Sequence, residues 1–222
     1  ARPEVSCHPE RLLDGLARTV ISAALCYWSD TPDPGPGEGR LPRYAWREHY
    51  ALLRDRLDAL GRPLGGSYRV LVDENQHVDR EGARRAGVGF YGKNTMLITR
   101  EHGSWVVLGT LVTDVEIEPT PSLDLDCGRC TLCIDACPTG ALSPFKLDPN
   151  RCMTTYTIET EAEPPPQVSK AIAATGWVAG CDICQEVCPH NEPTRRKKRL
   201  APFPAYAARA ASMDLLAILG WT

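Results

Sequence analysis

With 222 residues, 43% of them hydrophobic, the chain can bury one large core or a core with an appendage, which excludes wholesale disorder. A net charge of −3 argues against a nucleic-acid binder that uses its whole surface and leaves only local basic patches to weigh. No run approaches the roughly 18 apolar residues of a membrane span, and no charged-then-apolar leader is visible, so a soluble protein with no membrane partner is expected. The sequence starts at Ala1 and stops inside LLAILGWT, which reads as a chain trimmed at both ends.

RTVISAALCYW (18–28) is a continuous apolar run that reads as a buried strand, and SDTPDPGPGEGRLP (29–42) as a Pro/Gly loop. AWREHYALLRDRLDAL (45–60) carries apolar residues at helical spacing and meets Gly61, an expected helix stop. SYRVLVD (67–73) alternates as a strand ending at Asp73, and DREGARRAG (79–87) reads as a short helix. VGFYGKN (88–94) is a Gly-punctuated loop, while TMLIT (95–99) and SWVVLGTLVTD (104–114) read as strands around the turn REHG. From PTPSLDLD (119–126) onward the character changes to cysteines, prolines and short helices. The expected class is therefore α+β, with an α/β module over 1–118, a cysteine-rich ferredoxin-like domain over 119–193, and a basic segment opening a helical region over 194–222.

Ten cysteines is the one compositional outlier, and eight of them lie between Cys127 and Cys188 in CxxC spacings that belong to metal ligation rather than to a disulfide framework. A reducing, cytoplasmic setting follows. Cys127, Cys130, Cys133 and Cys137, followed by Pro138, reproduce the CxxCxxCxxxCP run of two-cluster ferredoxins, in which the fourth cysteine ligates the other cluster. Cys152, Cys181, Cys184 and Cys188, followed by Pro189, supply the second half. Exchange of the fourth ligand gives Cys127, Cys130, Cys133 and Cys188 to one [4Fe-4S] cluster, and Cys137, Cys152, Cys181 and Cys184 to the other. Structural zinc also takes CxxC pairs, but has no use for two xxx-C-P extensions. Cys7 and Cys26 fall outside the pattern and read as buried thiols.

A bare ferredoxin needs far fewer residues, so the upstream module is expected to bind whatever consumes the electrons. VDENQHVDREGARRAGVGFYGKNTMLI (72–98), GSWVVLGTLVTD, CGRCTLCIDACPTGAL and GCDICQEVCPHN resemble, in order, the epoxyqueuosine reductases of tRNA queuosine synthesis, relatives of the reductive dehalogenases. The resemblance implies an oxidoreductase that removes the epoxide oxygen of epoxyqueuosine at the wobble position of tRNA. Electrons from an external donor would pass through the two clusters to a cobalamin. It also implies that Asp73 is the proton donor, in a role that general acid catalysis makes worth about 10²–10⁴ in rate. Such an acid has to be desolvated by corrin and substrate to hold its proton near neutral pH. Lys93, Asn94 and Thr95 match a family segment close to the corrin, Asp182 a position beside the cofactor, and Tyr50, after the family-like RYA, a residue facing it.

The chain departs from the family pattern at Glu74, Asn75, Gln76 and Phe90, and offers His49, Tyr50 and Ala51 where an Asp-Tyr-His triplet is common. These positions are expected to line the substrate pocket. RRKKR, from Arg195 and Arg196 through Lys197 and Lys198 to Arg199, is a solvated surface run or, with a tRNA substrate, a phosphate contact. Two other readings stand beside this one. A small-molecule reductase of the dehalogenase type would use Tyr91 or Tyr50 as its donor, and a plain electron-transfer module would do no chemistry of its own.

Overall fold

The computed structural model describes residues 8–29, 34–74, 76–192 and 212–219. In chain order the regular elements are β1 (Thr19–Cys26), β2 (Glu38–Arg40), α1 (His49–Gly61), β3 (Tyr68–Val72), α2 (Asp79–Arg85), β4 (Phe90–Tyr91), β5 (Leu97–Ile98) and β6 (Val106–Thr113). The cysteine-rich half follows with α3 (Leu132–Asp135), β7 (Leu142–Ser143), β8 (Lys146–Leu147), α4 (Pro166–Thr175), α5 (Ile183–Glu186) and β9 (Ser212–Asp214), then a last helical turn, Leu215–Leu219. No helix among the described residues is long and apolar enough to cross a membrane.

The first half is built on an antiparallel sheet in the order β1-β6-β3. Strand β6, VVLGTLVT, is buried at all but one position because it runs between two neighbours, with Thr19 opposite Thr113 on one side and Tyr68 opposite Thr113 on the other. Strand β1 is half-buried along its whole length, a correction to the fully buried strand expected of so apolar a run; it is an edge strand. Helix α1 packs on one face, setting Leu53 and Leu57 against Trp105, Val107 and Leu111. The short turn Pro9–Leu13 puts Leu12 on the other face against Leu71 and Val112. Helix α2 joins it there, where Asp79 accepts a hydrogen bond from the buried Thr110 hydroxyl at 3.0 Å.

Two sequence expectations change here, and one keeps its outcome for a different reason. The helix begins at His49 rather than 45, because Arg43–Trp46 forms a 3-10 turn whose first backbone N–H is taken by Asp182 at 2.8 Å. The helix ends at Gly61 as expected, but for another reason: Gly61 keeps helical angles, a Cβ there would lie 2.5 Å from the Tyr68 ring, so glycine serves close packing, and the chain leaves through the Arg62–Leu64 turn with Gly65 in the left-handed region. The two strands flanking REHG meet only at Thr99 and Gly103. β5 pairs instead with β4 across the GKNTM turn, while β6 goes to the centre of the main sheet.

Each CxxC run of the second half turns into a single helical turn, α3 after Cys130 and α5 after Cys181, and these two turns pack on each other. A small core of Met153, Val168, Ala171 and Trp177 supports them. The residues expected as loop between 29 and 42 include β2, which pairs with β9 and is bonded to the cysteine half by Arg40 N to Gly176 O at 2.7 Å and Val178 N to Arg40 O at 3.1 Å.

Candidate functional site

Cys127, Cys130, Cys133 and Cys188 line one small pocket, together with Lys93 and His190. The CGRC turn that presents the first two closes by Cys130 N to Cys127 O at 3.1 Å, and Gly128 supplies the left-handed φ of 53° that the turn needs. Burial pushes the Cys188 thiol up to about 11, and the neighbouring Cys127, Cys133 and Cys130 add to the rise. The second group shows the same crowding. Burial pushes Cys181 up to about 12, with Asp182, Cys152 and Cys137 contributing, and lifts Cys184 well above the ordinary thiol value. Cys137 goes the other way: burial opposes it, but hydrogen bonds from Thr139, Ala141 and Leu142 outweigh burial and lower it. Among the described residues no three His, Cys, Asp or Glu side chains close on one point as a lone ion requires. Sulfurs that surround a space and repel one another as thiolates fit a cationic iron–sulfur core, which neutralises them together.

Asp73 stands one residue past β3, exposed, with φ at 57°. A non-glycine residue in this region is uncommon and is tolerated best by Asp and Asn. Arg54, one turn along α1 from Tyr50, fixes the bend: its Nη2 donates to Val72 O at 2.8 Å and its Nη1 to Glu74 at 3.3 Å. Arg69 also reaches Glu74, at 3.7 Å. Tyr50 is half-buried on the first turn of α1, and burial followed by the charge of Asp73 pushes its hydroxyl up to about 12. Tyr44 is raised too, by burial and then by Glu159, Asp182 and Asp73. Asp73 is thus within electrostatic reach of both Tyr44 and Tyr50, and carboxylate and phenol groups of this rim are donors and acceptors of the kind that suit the amide arms of a corrin.

The GKN-T segment lies against the cysteine-rich half. Lys93 sends its ammonium to Gly128 O at 2.7 Å and Cys130 O at 3.0 Å. Asn94 is buried and donates to Cys184 O at 3.4 Å, and Thr95, with φ at 66°, has its carbonyl held by Arg80 at 3.1 Å. The polar ends of Lys93 and Asn94 are thus engaged by the cysteine-rich half.

Asp182 is buried and its carboxyl rises to about 6, burial outweighing the backbone N–H and charge of Arg43. It accepts from Arg43 N at 2.8 Å and from Gln185 Nε2 at 3.0 Å. Gln185 Oε1 in turn accepts from Tyr27 at 3.2 Å and Ser104 Oγ at 3.0 Å, and Asn191 closes the chain by accepting from Ser104 N at 2.7 Å and donating to Gln185 O at 2.7 Å. The Arg43 guanidinium sits over Trp46 and Trp105, 5.3 and 5.1 Å from the ring centres, and pairs with Glu186 at 2.8 Å. Sequence reasoning missed Arg43, Arg54, Gln185 and Asn191. The only local signal was proximity to motifs, Arg43 in RYA and Gln185 and Asn191 in CQEVCPHN, and Arg54 had none.

The departures do not all line a pocket. Phe90 is buried against Ile98 and Cys188 with its ring 5.1 Å from His190, and Glu74 is taken by Arg54 and Arg69. His49 is buried beside Tyr27 at 5.7 Å between ring centres. Cys26 is half-buried and pushed up to about 11 by burial. Cys7, Asn75 and the basic run from Arg195 to Arg199 lie outside the described residues.

Residues 126–191 match the family described as the 4Fe-4S double cluster binding domain, so the fold and the cysteines define an iron–sulfur protein in which a double-cluster domain follows an α+β module. The chain is 40% identical over 198 residues to an epoxyqueuosine reductase of Synechocystis sp. (strain ATCC 27184 / PCC 6803 / Kazusa), covering 86% of this chain and 68% of that one. The chain belongs to the epoxyqueuosine reductase family. Among solved structures, an epoxyqueuosine reductase from Bacillus subtilis, with its catalytic aspartate loop swung out of the active site, superposes with a TM-score of 0.82 at 31% identity, covering 99% of this chain and 60% of that one. An epoxyqueuosine reductase crystallised with an epoxyqueuosine-modified tRNA-Tyr stem loop gives 0.73 at 35% identity, over 83% and 51%. The chain spans between 52% and 68% of the length of the curated relatives it matches.

Proposed function

We propose that the protein reduces epoxyqueuosine to queuosine at the wobble position of tRNA. The observation that carries the reading is that the likeness to epoxyqueuosine reductases runs through both the α+β module and the cysteine-rich half. The division of labour falls near residue 118, with cofactor and substrate bound before it and electrons delivered after it.

When bound, cobalamin would supply a strongly reducing cobalt centre, fed one electron at a time by two [4Fe-4S] clusters from an external donor. Cys127, Cys130, Cys133 and Cys188 would hold one cluster, and Cys137, Cys152, Cys181 and Cys184 the other. Tyr50 and Thr95 would face the corrin. Lys93, Asn94 and Asp182, whose polar groups are engaged within the protein, would support the cofactor floor through the backbone they hold. Asp73 would be the proton donor. Covered by substrate and corrin, its carboxyl would lose water and deliver a proton to the epoxide oxygen as the carbon–oxygen bond breaks. Two electrons from the external donor and two protons, one from Asp73 and one from solvent, would convert the epoxide to an alkene and water. Arg54 keeps the bend of residues 72–74 in place, so the carboxyl is aimed before substrate arrives. The cations from Arg195 to Arg199 would contact tRNA phosphates, leaving the wobble base free to be splayed into the site.

The test is anaerobic incubation of the cluster-loaded protein with cobalamin, a strong reductant and epoxyqueuosine-containing tRNA, followed by mass spectrometry of the nucleosides. Loss of one oxygen supports the reading. No conversion, with iron and corrin content verified, selects a small-molecule reductase in which Tyr50, beside Asp73, is the donor.

A further inference from the structure

Lys93 is tied to the CGRC turn in three ways. Its backbone N–H points at the Cys127 sulfur, 3.4 Å away, and its ammonium bridges Gly128 O at 2.7 Å and Cys130 O at 3.0 Å. Those carbonyls belong to the turn that carries two thiols of the pocket described above, and Lys93 itself lines that pocket. A long, flexible cation is thereby held at one point beside the sulfurs.

Satisfying two carbonyls does not call for a cation. Gly128 is exposed, and water or an amide would serve it. What a fixed ammonium adds is charge. A [4Fe-4S] core with four thiolates is anionic and gains one further negative charge on reduction, so a nearby cation favours the reduced form. Net charge and hydrogen bonds to the sulfurs are among the terms that set such potentials. The turn that Lys93 binds belongs to one cysteine group only.

We propose that Lys93 is a positioning and tuning residue whose ammonium raises the reduction potential of the cluster held by Cys127, Cys130, Cys133 and Cys188. This rests on the reading that both cysteine groups hold [4Fe-4S] clusters. The redox step is the gain of one electron from the reductant, [4Fe-4S]²⁺ to [4Fe-4S]⁺, with no bond made or broken and no proton moved.

The experiment is anaerobic reconstitution of the full chain as wild type, Lys93→Met, Lys93→Gln and Lys93→Arg. Iron and sulfide analysis follows, then EPR-monitored redox titration with dithionite and titanium(III) citrate. In Lys93→Met and Lys93→Gln, one of the two reduction waves falls tenfold or more in equilibrium constant, which is 59 mV for a one-electron couple. The other wave moves less, and Lys93→Arg returns the first toward wild type. Lys93→Gln keeps a donor for Gly128 O, so it remains informative if Lys93→Met loses iron. Full iron content in Lys93→Gln with both waves unmoved overturns the proposal, as does Lys93→Arg shifting as far as Lys93→Gln. A wild-type protein that yields no cluster signal at all overturns the cluster reading beneath it.

Discussion

Helix α1 carries both Tyr50 and Arg54 to the Asp73 rim, so its seat on the sheet determines the geometry of that rim. The seat is tightest at Gly109 in the middle of β6. A Cβ added there would come within 2.8 Å of Leu57 Cδ1, 2.9 Å of Leu53 Cδ2 and 3.0 Å of Val72 Cγ2. Overpacking a core by a methyl group costs about 1–3 kcal/mol, and alanine recovers about 0.5–1 kcal/mol of the backbone entropy that glycine loses in a strand. Gly109→Ala should therefore cost about 1 kcal/mol net. Leu57→Ala, at a site 2% exposed, should cost about 2–5 kcal/mol by itself. Together the two relieve the closest clash, so the double variant should cost about 1 kcal/mol less than the sum. The assay is urea unfolding of all four proteins, followed by tryptophan fluorescence, since Trp105 is fully buried in this cluster. Additivity within about 0.5 kcal/mol, or a Gly109→Ala protein as stable as wild type, would refute the argument that this glycine is required by the approach of the helix.

Asp73→Asn should retain iron and corrin content yet lose turnover by about 10²–10⁴-fold; near-wild-type turnover would remove Asp73 from the chemistry. Arg54→Met should change the urea midpoint little, because the side chain is 45% exposed and such pairs are worth about 0–1 kcal/mol. Its turnover should nonetheless drop by up to about 10²-fold through misplacement of the 72–74 bend, and equal losses in stability and turnover would argue against a clamp. Cys152→Ala should remove one cluster and leave the other, read as iron content falling toward half with one EPR signal surviving; full iron content would take Cys152 out of the ligand set. Glu81 is lowered to about 2 by its hydrogen bond to Arg84 and then by Arg85, so what it contributes is present above the ordinary value of 4.5 and is lost as pH falls toward 2. On an exposed helix that contribution is about 0.3–0.5 kcal/mol, so Glu81→Gln should flatten the acid limb of the stability curve only slightly, and a loss of several kcal/mol would contradict it.

What was legible in the sequence was local. The eight clustered cysteines read directly because CxxC spacing is a property of one turn, and β3, β6 and α2 read directly from runs of apolar or helix-forming residues. What was not legible was settled by distant partners. The REHG turn suggested a hairpin, but β6 is drawn to the sheet centre by β1 and β3, and nothing within the turn encodes that competition. Gly61 resembled a helix stop, while its reason is the Tyr68 ring in the next strand. The network through Gln185 was invisible because its hydrogen bonds to Ser104 and Tyr27 join residues 81 and 158 apart in sequence. The Asp73 rim was half legible: motif resemblance singled out Asp73 and Tyr50, but not Arg54, whose role depends on a backbone carbonyl 18 residues away.

That network also bears on how the protein is made. As the chain leaves the ribosome, the sheet of the first half can form once residue 113 has emerged. Yet the Ser104 backbone N–H, fully buried in the finished fold, has its acceptor on Asn191, and the Tyr27 hydroxyl has its acceptor on Gln185. Before the last cysteine run arrives these groups have only water as a partner, and they are buried and satisfied together only when that run packs against them. The first half is therefore completed by residues 182–191, not by its own sheet alone.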